Sequence, residues 1–594
     1  MDTLAPVVVE ADPPNRSLHF RAKRIEIRFD EFVQLTNTRQ ELVVSPPLEK
    51  QPEVRMKNKT MVVDLGSELH ENTTYTLNFG QAIADLNQGN VLENYEYVFS
   101  TGDYIDSLSV GGALLHAFDL SAPEDPFMVM LYENLADSAP FREIPTFVGK
   151  SNKKGIYRIN NLKADTFRMF ALKDANNDFM YDIPEEEIGF LDTLLVLDPA
   201  MFEKLLSHRD SLSGGSGTDT LQKLEKPGAT TEGAADVPLR DDTAHREVAS
   251  DSAMLLSLNP YTVLADLRVF REDNKPQYLK DYDRPSYNKI SLVFNRPLMG
   301  DIGVEPLSFS PAGSWYIRED HTVGDSVDYW LSDSLVYNRD TLLMVFSYEV
   351  TDSLMNLVDK LDTLRFIHSS ARSSGSDRRK KVRGEQRDTV LLLTTNVNGG
   401  RKQDIYIPLT IESKSPVADV LEGDIELTYK EDTVYRPQEF EIVRDSFFLR
   451  KFRLRTRWKE DVTCRLLILP GAMTDIYGLV NDSVDVTFRT QSAENYGRII
   501  LNVTGVESPL VVQLLREKTE TGREVLIKEN GTYSFDYLKP DVYNMKVIFD
   551  RNGNGKWDTG NYLEKKQPER VIFYKGKVEI RANWEKEIIW NIEQ

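Results

Sequence analysis

The chain has 594 residues, of which 72 are Lys or Arg and 94 are Asp or Glu, giving a formal net charge of -22. This acidity argues against nucleic acid as a partner, because such binding needs a basic face. A single cysteine, Cys464, excludes an intramolecular disulfide and cysteine-rich metal sites. No stretch reaches 18 apolar residues, so the sequence predicts no membrane-spanning helix.

Strict alternation of apolar and charged residues between Arg24 and Asp30 predicts a half-buried strand. The same alternation returns at 290–294 and at 405–409. Each copy is followed by an apolar block leading to an aspartate, and then by a strand that ends in phenylalanine. These residues are Asp85 and Phe99, Asp352 and Phe366, and Asp475 and Phe488. The recurrence predicts three copies of one all-β unit, and the dense turn signals between strands favour a sandwich.

A second repeat relates two smaller modules. Residues 531–541 fall on residues 155–165 when the chain is shifted by 376 positions, and the register continues without a gap to Asp558 and Asp182. Matches over so many positions indicate that one module was duplicated.

These patterns predict seven segments. Residues 201–250 have the Gly/Ser/Thr-rich composition of a flexible linker. Residues 369–388 carry a basic run that is either a patch for an anionic surface or nucleic acid, or a solvated linker. The predicted order is a sandwich at 1–104, a loop module at 105–200, the first linker at 201–250, a sandwich at 251–368, the basic linker at 369–388, a sandwich at 389–492 and a loop module at 493–594.

Three motifs carry a family resemblance. Residues 24–33, the block from Tyr75 to Asp85 and Phe99-Ser-Thr-Gly resemble the Ig-like domain of bacterial S-layer and surface proteins. The whole chain is similar to Ig-like-domain lipoproteins of the Bacteroidota type. Its two loop modules resemble carboxypeptidase-regulatory-like, or transthyretin-like, sandwiches. The resemblance therefore implies an all-β fold of tandem Ig-like β-sandwiches with two smaller transthyretin-like modules.

The same resemblance implies an exported protein without catalytic residues. Members of the family usually carry a signal peptide and a lipidated cysteine just before an Asp-Thr-x-x-Pro stretch. Here Asp2-Thr-Leu-Ala-Pro6 follows Met1 with neither feature. We therefore expect a mature protein trimmed after its anchor, whose native form is lipid-anchored at the outer membrane or cell surface. The expected partners are other envelope proteins, in an outer-membrane complex.

Each loop module contains a segment with the oxygen-ligand spacing of a twelve-residue calcium loop. In the C-terminal module the predicted ligands are Asp550, Asn552, Asn554, the Lys556 carbonyl, Asp558 and Asn561, with Gly555 at the sharp turn. Because only two of these are carboxylates, the predicted Ca²⁺ affinity is weak. The alternative is a hairpin in which Asn-Gly pairs supply positive φ angles.

The upstream copy offers Asp174, Asn176, Asp178, the Met180 carbonyl, Asp182 and Glu185. Phe179 occupies the position where the calcium pattern has glycine, which should strain the turn. The alternative is a loop whose Asp and Asn side chains cap its own backbone. The same choice between ligand and turn cap applies to Asp85, Asp352 and Asp475.

Motifs of enzymes are weak throughout. The histidines do not form a zinc-binding pair, and Gly149-Lys-Ser lacks the first glycine of a phosphate loop. The favoured interpretation is a non-catalytic scaffold or docking subunit, and its more specific form is an accessory of an outer-membrane assembly, secretion or uptake complex. The alternatives are a glycan-binding adhesin with aromatic platforms such as Trp315-Tyr316 and Trp557, or an accessory region of a carbohydrate-active enzyme or peptidase. A cleft with paired, pKa-shifted carboxylates would favour the enzyme.

Overall fold

The computed structural model describes residues 3–200, 259, 261–311, 313–352, 356–368, 389–397, 402–516 and 520–592. Strands dominate these residues, which confirms the predicted all-β class of tandem sandwiches. The described α-helices have four residues each: α1 Thr38–Glu41, α2 Ala139–Arg142 and α3 Ser334–Tyr337. No helix in the described residues is both long enough and apolar enough to cross a membrane. Both predicted linkers lie outside the described residues.

The first unit is a β-sandwich made of strands β1 Val8–Asp12, β2 Arg24–Phe29, β3 Val33–Leu35, β4 Val43–Ser45, β5 Glu53–Lys57, β6 Thr60–Asp64, β7 Thr74–Asn78, β8 Ile83–Asp85 and β9 Glu96–Ser100. One sheet has the order β1-β2-β6-β5 and faces a second sheet, β4-β7-β9. The predicted alternation in β2 is confirmed, since Ile25, Ile27 and Phe29 are buried and the charged residues between them are exposed. Both sheets contribute to one apolar core.

The first loop module follows directly. Its strands are β10 Leu108–His116, β11 Met128–Tyr132, β12 Phe147–Lys150, β13 Ile156–Leu162, β14 Asp165–Leu172, β15 Glu187–Phe190, β16 Leu195–Leu197, β17 Thr262–Leu264 and β18 Leu267–Arg271. The sheet order is β12-β11-β14-β15-β18-β10-β13, with β16 paired to β14 and β17 paired to β10. The path therefore wraps around a core that includes side chains from β10, β11, β13, β14 and β18.

Strand pairing places residues 262–271 in the first loop module, whereas the sequence analysis assigned them to the second sandwich. Both β17 and β18 run parallel to β10, and β18 also pairs antiparallel with β15. Gly112 permits the close approach at the junction, because a Cβ at this position would lie 2.2 Å from the Ala265 carbonyl oxygen. The segment 201–258 is thus inserted before the last strands of a module. A gapless sequence comparison had no means to detect this, since the insertion displaces the terminal strands from the repeat.

The second sandwich has strands β19 Leu279–Ser286, β20 Lys289–Phe294, β21 Gly303–Pro306, β22 Tyr316–Asp320, β23 Ser326–Leu331, β24 Thr341–Thr351 and β25 Leu357–Ile367. Sheet β19-β20-β23-β22 packs on sheet β21-β24-β25. The predicted strand at 290–294 is confirmed, with Ile290, Leu292 and Phe294 all buried.

The third sandwich has strands β26 Leu393–Thr395, β27 Lys402–Gln403, β28 Leu409–Ser413, β29 Val417–Val420, β30 Ile425–Glu431, β31 Val434–Pro437, β32 Glu441–Arg444, β33 Lys451–Arg455, β34 Thr463–Ile468, β35 Met473–Asp475 and β36 Val484–Thr490. Its main sheets are β26-β28-β33-β32 and β27-β36-β34-β30-β31. The predicted strand at 405–409 is wrong. Residues 405–407 form a turn in which Ile407 N donates to Asp404 O, and the strand starts only after Pro408, which cannot donate to a ladder.

The second loop module has strands β37 Gly497–Thr504, β38 Leu510–Arg516, β39 Glu520–Ile527, β40 Gly531–Leu538, β41 Asp541–Phe549, β42 Val571–Phe573, β43 Val578–Ile580 and β44 Glu585–Asn591. Strand β37 pairs antiparallel with β40 and parallel with β44, as β10 does with β13 and β17. The outer sheet is β39-β38-β41-β42. The topology supports the duplication inferred from sequence.

The recurring aspartates of the sandwiches cap turns, which was the alternative to a ligand role. Asp85 accepts backbone N–H groups from four residues, Asn87, Gln88, Gly89 and Asn90. Asp475 accepts those of Tyr477 and Leu479, and Asp352 that of Asn356. Each carboxylate therefore satisfies backbone donors of its own turn.

We predict that cleavage within 201–250 will not separate the two halves of the protein. A site-specific protease sequence inserted after Gly217 provides the cleavage point within this Gly/Ser-rich segment. The fragments should nevertheless co-elute in size-exclusion chromatography, since β17 and β18 remain paired with β10 and β15. They should separate only in denaturant. Separate elution of the cut fragments in native buffer would show that these pairings do not hold the halves together.

Candidate functional site

The two predicted calcium loops occupy equivalent places in the duplicated modules. The first loop, residues 174–186, connects β14 to β15, and the second loop, residues 550–569, connects β41 to β42. In both modules the strand before the loop lies in the centre of its sheet, so the loop emerges at the same end of the module.

The aspartate that opens each loop caps the following turn. Asp550 accepts backbone N–H groups of Gly553, Asn554 and Gly555 at 2.7, 3.1 and 2.7 Å. Asp174 accepts the corresponding groups of Asn177, Asp178 and Phe179 at 2.6, 3.3 and 2.9 Å. The two loops thus share one hydrogen-bonding pattern.

Backbone angles confirm this equivalence. Gly553 and Gly555 have φ values of 74° and 77°, and Asn177 and Phe179 have 62° and 63°. Phe179 therefore adopts the left-handed conformation that the pattern normally assigns to glycine. A bulky residue there is strained, in line with the sequence analysis.

The inner Asn and Asp side chains mainly bind one another. Asn552 and Asn554 both donate amide N–H groups to Asp558 Oδ2, at 2.5 and 2.9 Å. Asn176 donates to Asp178 and Asp182 in the first loop, at 2.9 and 3.3 Å. Each loop therefore contains a small cluster of Asn and Asp side chains joined by hydrogen bonds.

Lys556 and Met180, whose carbonyls are the predicted ligands, contact these clusters through their backbone N–H groups. The N–H groups of Lys556 and Met180 donate to Asn554 and Asp178, at 2.8 Å each. Asn561 accepts the backbone N–H of Glu564 in a separate turn. Glu185 is exposed. Among the described residues no group of three or more His, Cys, Asp or Glu side chains is placed to hold a metal ion.

A buried glutamate that the sequence analysis missed closes each loop. Glu186, which is 2% exposed, accepts the backbone N–H of Ala175 at 2.9 Å, and Glu569, 3% exposed, accepts those of Arg551 and Asp558 at 2.8 and 3.1 Å. Burial raises the pKa of both carboxyls, although these hydrogen bonds oppose the shift. The available signal was a glutamate just before the next strand in both copies.

The second loop docks onto the first loop module. Tyr562 is 2% exposed, and its ring centroid lies 5.0 Å from that of Phe170, 5.1 Å from that of Phe190 and 5.8 Å from that of Phe141. These side chains belong to an apolar cluster on the outer face of the first module's sheet. Gly560 is required beside them, because a Cβ there would lie 2.6 Å from the Phe270 ring.

The first loop module also contacts the second, at Lys546. This residue falls on Phe170 when the chain is shifted by 376 positions. Lys546 is 1% exposed, and its Nζ lies 3.2 Å from the ring centroid of Phe118 in the first module. Phe118 also packs edge-on against Trp557 at 5.1 Å. Equivalent positions of the repeat are therefore each covered by an aromatic side chain from the other module.

Polar groups fix the register of this interface. Glu272, at the end of β18, accepts the Tyr181 hydroxyl from the first loop at 2.9 Å and the Tyr562 N–H from the second loop at 2.5 Å. Gln567 donates to the Phe190 carbonyl at 2.9 Å, and Lys565 pairs with Asp137 at 2.9 Å. The loops are thus structural connectors between the duplicated modules.

A cleft of about 820 Å³ separates the first sandwich from the first loop module, a volume within the usual range of small-ligand sites. Strands β4, β7 and β9 form one wall, and β12 and β13 form the other. Lys150 bridges the walls by donating to Glu41 at 2.9 Å, and Asn160 does so by donating to both oxygens of Glu96, at 2.9 and 3.0 Å.

The pKa values of the two bridging carboxylates, Glu96 and Glu41, are shifted in opposite directions. Burial raises the pKa of Glu96, with the Asn160 hydrogen bonds opposing. Burial also acts to raise the pKa of Glu41, but hydrogen bonds from Gln81 N and Lys150 outweigh it and lower that pKa. On the same wall as Asn160, burial lowers the pKa of the Arg158 guanidinium.

Replacing Glu186 by Ala should lower the free energy of unfolding by about 2 kcal/mol, the usual value for losing hydrogen bonds to a charged group. The matched control is Glu185→Ala, because Glu185 is the exposed neighbour that the calcium pattern would select. Urea unfolding followed by tryptophan fluorescence measures both. Equal effects of the two substitutions would contradict the closing role of Glu186.

Lys546→Met should stabilise the protein by about 3 kcal/mol at pH 7, because folding then no longer buries a charged ammonium group. Burial lowers the pKa of Lys546 from 10.5 to about 8, with Asp119 opposing. Because unfolding then takes up a proton between these pH values, the wild type gains stability as pH rises from 8 to 10.5. The difference between variant and wild type should therefore shrink over this window. Lys528→Met, at an exposed position, should show no such trend.

Comparison with protein families identifies the first sandwich. Residues 2–101 match the family model described as bacterial Ig-like domain. The matched region contains β2, β7 and β9, whose residues carried the resemblance noted in the sequence. No curated protein matches the chain.

Comparison with solved structures finds alignments of low similarity. The crystal structure of the S-layer protein rSbsC(31-844) is 10% identical, with 97% of this chain and 67% of that chain covered and a TM-score of 0.15. The Bacillus anthracis TIE protein is 8% identical, with coverages of 99% and 75% and a TM-score of 0.12. BcpA, the major pilin subunit of Bacillus cereus, is 8% identical, with coverages of 82% and 99% and a TM-score of 0.12. Superposition this poor carries no argument about domain arrangement or function, so the Ig-like assignment rests on the family match to the first sandwich.

Proposed function

We propose that this protein is a non-catalytic cell-envelope scaffold that docks other proteins at the bacterial outer membrane, as an accessory of an assembly, secretion or uptake complex. The observation that carries the proposal is the direct packing of the duplicated modules around Tyr562 and Glu272. Because this packing joins segments far apart in sequence, it restricts their relative motion. The bacterial Ig-like match of the first sandwich supports placement at the cell surface.

Contacts between consecutive units support the same role. Arg450 of the third sandwich donates to the buried Glu319 of the second at 3.0 Å, and its guanidinium lies 5.5 Å from the Trp330 ring centroid. Lys539 of the second loop module pairs with Asp404 of the third sandwich at 2.9 Å. Buried or partly buried pairs of this kind resist screening by salt better than exposed ones do. They suit a rigid arm or platform.

The tryptophans considered for glycan binding pack against other aromatic side chains and do not form an exposed platform for a sugar. Trp315 is 7% exposed and lies edge-on to Phe309 at 5.0 Å. Trp557 packs on Phe118 and donates to the Glu569 carbonyl at 2.9 Å. This favours the scaffold over the adhesin.

One observation favours the enzyme alternative, namely the cleft with its differently shifted carboxylates. Both oxygens of Glu96 accept amide hydrogens from Asn160, however, and Glu41 is paired with Lys150. A general acid or base must reach the reacting proton within hydrogen-bond distance. Because both groups are already engaged in holding the walls together, the cleft suits binding better than catalysis.

Fractionation of cells that make the natural full-length protein tests the proposal. The protein should sediment with outer membranes, partition into the detergent phase of a Triton X-114 extract and form a defined crosslinked adduct with an outer-membrane protein. Substituting the lipidated cysteine that the family resemblance implies ahead of Asp2 should move the protein to the aqueous phase. A cytosolic protein without such an adduct would contradict the scaffold role.

Calcium binding by the loops stays a prediction. The full chain should melt at a higher temperature in millimolar Ca²⁺ than in chelator, because a ligand specific to the folded state adds about 1.4 kcal/mol at ten times its Kd. Asp182→Ala together with Asp558→Ala should erase the difference while leaving the Asp174 and Asp550 turn caps in place. Identical melting curves would leave the loops as self-capped connectors.

A further inference from the structure

We propose that the cleft between the first sandwich and the first loop module binds an extended, acidic peptide segment of a partner protein. The proposal deepens the docking role and rests on it for the identity of the partner as a protein. The cleft is defined by the walls described above, β4, β7 and β9 on one side and β12 and β13 on the other.

Backbone groups of β12 are directed into the cleft. Ser151 N donates to Phe127 O, so residues 147, 149 and 151 face β11 in the antiparallel ladder. By the alternation of such a ladder, Val148 and Lys150 turn their N–H and C=O groups away from β11. Val148 N confirms this direction, because it donates across the cleft to Ser45 Oγ at 3.0 Å.

Strand β13 contributes in the same way. Leu114 N donates to Gly155 O, which places Tyr157 in a bonded pair with β10 and turns the backbone of Arg158 outward. Asn152 N donates to Ile156 O from outside the ladder, at 2.8 Å, in agreement with that alternation. Because Val148 N is bonded to Ser45 and Ile156 to Asn152, the outward backbone groups offered to an extended peptide are those of Lys150 and Arg158.

The balance of charge favours an acidic segment, because the exposed cations of the lining, Lys153 and Lys154, outnumber its exposed carboxylate, Glu93. The carboxylates of Glu41 and Glu96 are engaged by Lys150 and Asn160, as described above. In contrast, Lys153 and Lys154 are exposed at the rim and form no salt bridge with a described residue. Arg158 Nε is buried without a hydrogen-bond partner among the described residues. The Arg158 guanidinium already has Glu96 as a charged neighbour, and an acidic side chain in the cleft would be a further anionic partner for it.

The lining disfavours a sugar in the same space. Tyr157 is the aromatic residue among the lining side chains, and it is 1% exposed, with its hydroxyl bonded to the Ala265 carbonyl. It therefore offers no ring face on which a sugar could stack. A peptide needs only the backbone edges and the cations that are present.

Fluorescence anisotropy with the full chain tests the site. The probe is the fluorescein-labelled peptide Thr-Glu-Val-Glu-Val-Glu. It should bind saturably, whereas the peptide with Lys in place of each Glu should not. The acidic peptide with alternate backbone nitrogens methylated should bind about tenfold more weakly, because it keeps the charge but loses edge hydrogen bonds.

Variants assign the binding to the cleft. Arg158→Gln and the double variant Lys153→Gln/Lys154→Gln should each weaken binding about tenfold, the effect of losing one charge-assisted contact. Lys163→Gln is the matched control, since Lys163 lies outside the cleft and pairs with Glu133. It should leave binding within about twofold of wild type, as expected for an exposed pair. The exposed double variant keeps the test valid if Arg158→Gln fails to fold.

Three results would overturn the proposal. These are absence of saturable binding, equal affinity of the methylated peptide, and effective competition by tetragalacturonate, which would indicate an acidic glycan. The titration reports on the cleft alone and fractionation reports on the envelope role. Either can therefore fail while the other stands.

Discussion

Backbone pairing between β10 and the strands β17 and β18 is the constraint on which the rest of the arrangement depends. It joins residues separated by about 150 positions, so the entropy of closing that long loop must be offset by the sheet and its core. Because β18 leads directly into Glu272, the same pairing places this carboxylate between the two loops. The starting point of the second sandwich is fixed by the same strand.

The duplicated modules have kept their topology and diverged in their outer faces. Phe170 and Lys546 occupy equivalent positions, yet one lies in an aromatic cluster and the other places an ammonium group against a ring. Without this divergence, both modules would have the same outer surface at this position. Divergence here allows one module to receive Tyr562 while the other receives Phe118. The desolvated Lys546 is the energetic cost of this arrangement.

The cleft and the module interface make different uses of polar residues. At the interface, Glu186 and Glu569 accept backbone N–H groups of their own loops, whereas Glu272 accepts donors from both loops. In the cleft, Arg158 keeps a buried donor without a partner, and rim lysines remain unpaired among the described residues. Buried donors normally find partners. Because Tyr562 Oη at the interface is also buried without a hydrogen-bond partner in the described part of the chain, the exposed rim lysines are what distinguish the cleft from the interface.

The all-β class, the repeating units and the turn-forming loops could be predicted from the sequence, because these depend on local periodicity and on residues close in the chain. Alternation placed Ile25 and Ile290 in cores, and the 376-position register located both loops. The alternation gave a wrong strand where a turn interrupts it, at residues 405–407 before Pro408. Three features could not be predicted in this way. Residues 262–271 complete the first loop module, Glu186 rather than Glu185 closes its loop, and Tyr562 is buried by a distant module. These outcomes depend on strand pairing and burial between segments far apart in sequence, for which local pattern carries no signal.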